Sequence, residues 1–214
     1  MPKLVSNSIP LGLAGLLTVG AEASGFINFE SDPSGPFLNG SSSLNSPLVT
    51  FSNLSPSDGM AIFNSGFDDT IGQSLVVFPE STGVTLRMDF SDPIYSLSLM
   101  FGNDDPFLLV QGLGSGFDDL AVLNLFDGST LLETITVLPN ANTAMDQTIA
   151  WTHSGTPANR AEFFYGDSNL NPIDLIETVD NIAFSTEVPE PSTYAAIAFA
   201  GAVGVWSWRR SRKA

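Results

Sequence analysis

Cysteine is absent from the 214 residues, which removes disulfides, thiolate metal sites and cysteine nucleophiles together, without identifying a compartment. Positive charge is almost missing from the middle of the chain. Between positions 25 and 188 only Arg87 and Arg160 are cationic, against 21 carboxylates, so this stretch carries −19. Proteins hold a phosphate backbone by releasing counterions with cationic patches, and no such patch is present. A nucleic-acid role is therefore excluded for the body, and docking of the body on an anionic bilayer is disfavoured. Histidine occurs once, as His153, beside Trp151 in a Gly-containing segment. A Ser-His-Asp hydrolase would have to use it, yet no Gly-x-Ser-x-Gly elbow exists, and a lone loop histidine is ordinarily just solvated. Phosphate-binding glycine loops are missing too. Carboxylates are numerous enough to form many pairs, so a glycoside hydrolase stays open as a minor alternative. The expectation is a protein that is not an enzyme.

A helical period is also missing: no twelve-residue window of the body has a convincing apolar face at 3.6 spacing. What is present is alternation. Val84-Thr85-Leu86-Arg87-Met88-Asp89-Phe90 alternates without error, and Tyr95, Leu97, Leu99 and Phe101 alternate with Ser96, Ser98 and Met100. Segments 120–126 and 130–138 are joined through Asp127-Gly128, a strong tight-hairpin signal. Further strands are expected at 26–30, 48–54, 75–78, 147–151, 161–165 and 178–185. Gly, Pro, Asp, Asn and Ser separate them at fairly regular spacing, which predicts an all-β antiparallel β-sandwich, with a jelly roll as the expected wiring. Ser65-Gly66-Phe67-Asp68-Asp69 recurs as Ser115-Gly116-Phe117-Asp118-Asp119. Duplicated loops or chance in a Gly- and Asp-rich chain both account for it.

The two ends differ from the body. Residues 1–23 have the form of a secretory signal peptide: Lys3, an apolar centre at 9–19, and Ala21-Glu22-Ala23 with small residues at both specificity positions for cleavage. At the other end Val188-Pro189-Glu190-Pro191-Ser192-Thr193 precedes an apolar run at 194–208 and a basic tail at 209–214. The prolines keep the backbone extended, as a protease groove requires. As a single transmembrane helix the run would be about 22 Å long, short of the ~30 Å hydrocarbon core. Trp206, Trp208 and snorkelling arginines lengthen its effective span, and the basic tail is expected to stay cytoplasmic. The chain thus divides into a signal peptide (1–23), a sandwich domain (24–187) and a C-terminal tail (188–214).

This tripartite tail resembles the PEP-CTERM sorting signal of Gram-negative and cyanobacterial surface proteins, with Pro189, Glu190 and Pro191 as the sorting motif. The resemblance implies processing by an exosortase, inner-membrane anchoring beforehand, and delivery to the cell surface or medium. It also implies an association with exopolysaccharide. An ordinary single-pass anchor after a proline-containing linker is the plainer alternative.

Aspartate outnumbers glutamate 15 to 8. Turn-forming preference explains many of these aspartates, and calcium, which takes six to eight oxygens, would explain others. Asp68-Asp69, Asn103-Asp104-Asp105 and Asp118-Asp119 are paired sets, none with the EF-hand spacing. A different pair joins the ends of the domain: Asn28-Phe29-Glu30 closes the first expected strand, and Val179-Asp180-Asn181-Ile182 lies in the last. These segments resemble those of calcium-containing carbohydrate-binding modules with a jelly-roll fold. That resemblance implies that Glu30 and Asp180 share a structural calcium; otherwise they are a strand end and a turn residue. Its sugar-binding side points to Trp151 as a stacking ring, although alternating aromatics in a sandwich usually face inward.

Together these features predict an exported, exosortase-sorted surface or matrix protein with a structural or adhesive role in extracellular polysaccharide or envelope. A carbohydrate-binding module with structural calcium is the alternative.

Overall fold

A computed structural model describes residues 24–55, 59–64, 72–78, 83–102, 120–139, 144–173, 175 and 177–188. The expected signal peptide, sorting residues, transmembrane helix and three acidic pairs all lie outside these residues, as do both copies of the five-residue repeat.

Thirteen strands and no helix occur among the described residues. They are β1 (Ser24–Ile27), β2 (Gly35–Phe37), β3 (Ser41–Ser43), β4 (Ser46–Asn53), β5 (Met60–Phe63), β6 (Ser74–Val77), β7 (Leu86–Ile94), β8 (Ser96–Gly102), β9 (Leu120–Asp127), β10 (Thr130–Val137), β11 (Gln147–Thr152), β12 (Ala158–Gly166) and β13 (Glu177–Ser185). Two antiparallel sheets result. One runs β11-β8-β13-β6-β5-β2, with β1 also on β13; the other runs β10-β9-β12-β7-β4-β3. From β6 onward the chain changes sheet at almost every step, so the sandwich is laced together by crossovers rather than by neighbouring hairpins.

Alternation explains the layering, because successive side chains of a strand face opposite ways. In β7, Leu86, Met88 and Phe90 are buried between the sheets while Arg87 and Asp89 lie on the outer face. Phe51 packs 5.6 Å from Phe29, and Phe101 packs 5.6 Å from Phe163 and 6.3 Å from Tyr165. Each such buried ring or aliphatic side chain contributes about 1.5–3 kcal/mol, which is why apolar faces at this period set the fold. The Asp127-Gly128 signal is a real hairpin: Thr130 pairs with Asp127, and Gly128 takes the left-handed φ of 59°.

Strand β13 positions the candidate site. On one side it pairs with β8; on the other, Ile182 to Ser185 pair with β1 while Glu177 to Val179 pair with β6. Strands β1 and β6 are therefore laid end to end along a single edge of β13. Where one stops and the other starts, β13 has a bulge between Asp180 and Ala183, and Asn181 has a φ of 47°.

Candidate functional site

The break between β1 and β6 brings together what the sequence separates by 150 positions. After β1 the chain turns through Phe29, itself left-handed at φ 53°, and so puts Glu30 over the gap. The Gln73 amide just before β6 donates to Glu30 Oε1 at 2.9 Å. The Gln73 side chain donates to the carbonyls of Glu30 (3.3 Å) and Asp32 (3.1 Å) and accepts from Ser34 Oγ at 2.6 Å. Gln73 thus clamps the 30–34 turn against the start of β6. Gly72, at φ 75°, lets the chain pass: a Cβ there would fall 1.9 Å from Glu30 Oε1. Asp32 beside it is buried and satisfied, accepting from Ser43 Oγ and from the Leu44 amide at 2.8 Å.

Asp180 faces this gap from the bulge of β13. It is 1% exposed, and neither carboxylate oxygen has a hydrogen-bond partner of good geometry. Burial pushes its carboxyl up to about 7; the nearby Asn181 amide pulls the other way, and the negative charge of Glu30 adds a smaller push upward. An ionised carboxylate without partners inside a protein is costly, so such a group must either hold a proton or face a cation. The residues fit a hard cation. Asp180 feels the negative charge of Glu30, and two such carboxylates would supply part of the six to eight oxygens that calcium takes. No group of three or more His, Cys, Asp or Glu with metal-site geometry occurs among the described residues, so carboxylates alone would not complete one.

Trp151 stands elsewhere and differently from the expected sugar platform. It is 3% exposed and belongs to the core, with its indole N–H donating to Glu133 Oε2 at 2.8 Å. The exposed His153 ring stacks parallel to it, centroids 5.9 Å apart. Period-two packing turned this ring inward, so it presents no open stacking face.

A polar array on the outer face of the second sheet escaped the sequence reading. Register aligns Thr50, Asp89, Arg160 and Phe126 in one row and Ser52, Arg87, Glu162, Asn124 and Thr134 in the next. Arg87 grips Asp89 with two bonds (2.7 and 2.8 Å), and this pairing raises the guanidinium's affinity for its proton. Arg160 lies 4.1 Å from the centroid of the Phe126 ring, with Nε 3.4 Å from Glu162. Both cations of the body are thus adjacent, at a groove of about 400 Å³ lined by Arg87, Asp89, Ser91, Asn159 and Arg160. The signal that could have found it is local: each arginine sits two residues before a carboxylate on an alternating strand, which puts both charges on the outer face.

Comparison with known proteins bears on the tail. The family model for the PEP-CTERM protein-sorting motif matches residues 187–213. No curated protein matches the chain. Among solved structures, a family 29 carbohydrate-binding module from Piromyces equi aligns at 12% identity and a TM-score of 0.42, over 78% of this chain and 93% of that one. The module CsCBM6-3 from Clostridium stercorarium, solved with cellobiose, aligns at 17% identity and 0.36, over 64% and 87%. An arabinose-bound α-L-arabinofuranosidase aligns at 14% and 0.45, covering 75% of this chain but 26% of that one. Residues 187–213 are a PEP-CTERM protein-sorting motif, the mark of a secreted protein sorted to the cell surface, and they directly follow an all-β body of two antiparallel sheets.

Proposed function

We infer that the body is a calcium-stabilised, non-catalytic surface module, cut from its tail by an exosortase and retained in extracellular polysaccharide or envelope as a structural or adhesive component. The observation that carries this reading is the sorting motif at 187–213, two residues beyond the last strand. The metal part is supported by Asp180, whose oxygens are buried and unpartnered and whose carboxyl feels the negative charge of Glu30. When bound, calcium would supply the charge that Asp180 lacks; Glu30 and Asp180 would tie the first strand of the body to its last. A net charge of −19 would keep the body soluble and let divalent ions bridge it to acidic polymers.

Two measurements test this. A ligand at 100 times its dissociation constant adds about 2.7 kcal/mol, so EDTA should lower the melting temperature of the mature body visibly. An unchanged melting curve removes Glu30 and Asp180 as ligands. Sedimentation of the mature protein with the producer's own matrix should depend on Ca²⁺; equal retention with and without it defeats the bridging role.

A second reading, a glycan-binding module, is favoured by the groove beside Arg87, Asp89, Asn159 and Arg160, whose planar polar groups suit paired sugar hydroxyls. Trp151 is not its platform. A glycan array with wild type and Arg160→Gln discriminates: a sharp preference lost on substitution supports the module.

A further inference from the structure

The two flanks of the sandwich are closed differently. On one flank the sheets end in β2 and β3, each three residues long. Strand β2 carries Pro36, which has no N–H to offer, and β3 slips register against β4. Short strands, proline and irregular pairing are ordinary ways of blunting a sheet edge. On the other flank the sheets end in β10 and β11, eight and six residues long, with no proline and no cation. They lie together: the Trp151 indole reaches Glu133 at 2.8 Å, and the Gln147 side chain reaches the Leu138 carbonyl at 3.0 Å. Among the described strands, none pairs with the free side of either.

Strand β10 is the longer edge. Its one bulge lies at the hairpin end, between Leu131 and Glu133; from Glu133 to Val137 it pairs regularly with β9. Thr134, Ile135, Thr136 and Val137 are all β-branched, the residue types most at home in a strand. The edge is open to solvent: Leu131 is 51% exposed, Leu138 is 64% exposed, and Thr136 between them is exposed too. Glu133 is the single carboxylate on the two strands and is drawn toward Trp151, while Asp127 and Asp146 stand just before them. Screening at physiological salt limits a charge's reach to about 8 Å, so the charge beside the strand matters more than the total.

We propose that β10 is a self-pairing edge: two copies of this chain associate by antiparallel β10–β10 pairing about a two-fold axis at Ile135. The edge itself selects a second copy. Partners in an antiparallel pair share a face, and the regular stretch 133–137 is centred on Ile135. That register sets Ile135 against its own copy on the core side and Thr134 against Thr136 of the partner subunit on the outer side. Glu133 falls against Val137 of the partner subunit. Apolar meets apolar, hydroxyl meets hydroxyl, and no two carboxylates meet. The contact uses the same edge in both copies, so it closes at two and joins the six-stranded sheets into one. The inference stands apart from the calcium and sorting readings. Its product carries two of every site on the body, which strengthens retention in a polymer by avidity.

The test is sedimentation equilibrium of the mature protein, purified from its producing cell, across roughly 1 to 100 μM. The wild type should be dimeric at the upper end. Thr134→Lys with Thr136→Lys sets like charges opposite each other twice and should weaken association about tenfold. Thr134→Glu with Thr136→Glu should do the same. An equimolar mixture of the two variants should dimerise again, because each lysine then faces a glutamate; recovery also demonstrates that both fold. Leu44→Lys, at the exposed β3–β4 turn on the opposite flank, should behave as the wild type does. A monomeric wild type assigns the edge to a strand of some other protein and overturns self-pairing. So does a lysine variant that stays dimeric, an equal loss in Leu44→Lys, or no recovery on mixing variants that keep the wild-type near-ultraviolet circular dichroism.

Discussion

Asp180 is the residue on which the candidate metal site turns. Removing its charge removes both the burial penalty and the proposed ligand, so the two effects oppose each other in an informative way. Asp180→Asn should melt at or above the wild type in EDTA, and calcium should add nothing to it, measured by differential scanning calorimetry with and without the ion. Glu30→Gln should lose the calcium increment too, with little change in EDTA, because Glu30 is exposed and one of its oxygens is already held by the Gln73 amide. Gly72→Ala tests the cradle itself. Its φ of 75° disfavours a side chain, and the added methyl would run into the Glu30 carboxylate. A loss of about 1–3 kcal/mol in chemical denaturation is expected. The pair Glu30 and Asp180 was legible in the sequence only through resemblance. Gln73 and Gly72 were not, since nothing local signals that β6 will start where β1 ends.

At the scale of strands, period two located ten of the thirteen, and the three it missed explain why. Strand β3 is three serines and β2 is Gly-Pro-Phe, so neither has an apolar alternation to detect; they exist because the sheet edges receive them. Strand β5, Met60–Phe63, reads Met-Ala-Ile-Phe, apolar at every position, so it shows no alternation either. Alternation also decides the fate of Trp151 in β11. Trp151→Ala should cost about 3–5 kcal/mol by emptying a core position. Trp151→Phe should cost less while still freeing Glu133. If the alanine variant unfolds at wild-type denaturant concentration, the ring is not the core residue that its 3% exposure indicates. The outer-face pairs Arg87–Asp89 and Arg160–Glu162 follow from the same alternation, but that they are adjacent depends on β7 pairing with β12, a contact no local pattern reveals.

For the molecule as a whole, charge sets the response to conditions. Asp180 has a folded value of about 7 against an ordinary 3.8, so the native state binds more protons than the unfolded chain between those values. Stability is favoured at the acidic side of that window and is lost as pH rises through 7. In EDTA the melting temperature should fall between pH 5 and 8, and mutual repulsion of the carboxylates acts in the same direction. If Asp180 is a ligand as proposed, calcium should flatten the decline, because metal ions take the deprotonated form of a carboxylate. At pH 8, raising salt from 0.01 to 0.1 M shortens the screening length from about 30 to 10 Å, and should raise the melting temperature. A profile flat in both pH and salt contradicts this account. The placement of β13 has a different consequence, one of timing. The seven-stranded layer cannot knit until residues 177–185 arrive, since β8, β6 and β1 all meet there. A polypeptide threaded through a narrow channel amino end first stays unknotted and slack almost to its last segment. The same late strand that completes the layer runs straight into the sorting motif at 187–213, so the layer can close only when the address that follows it is next in line.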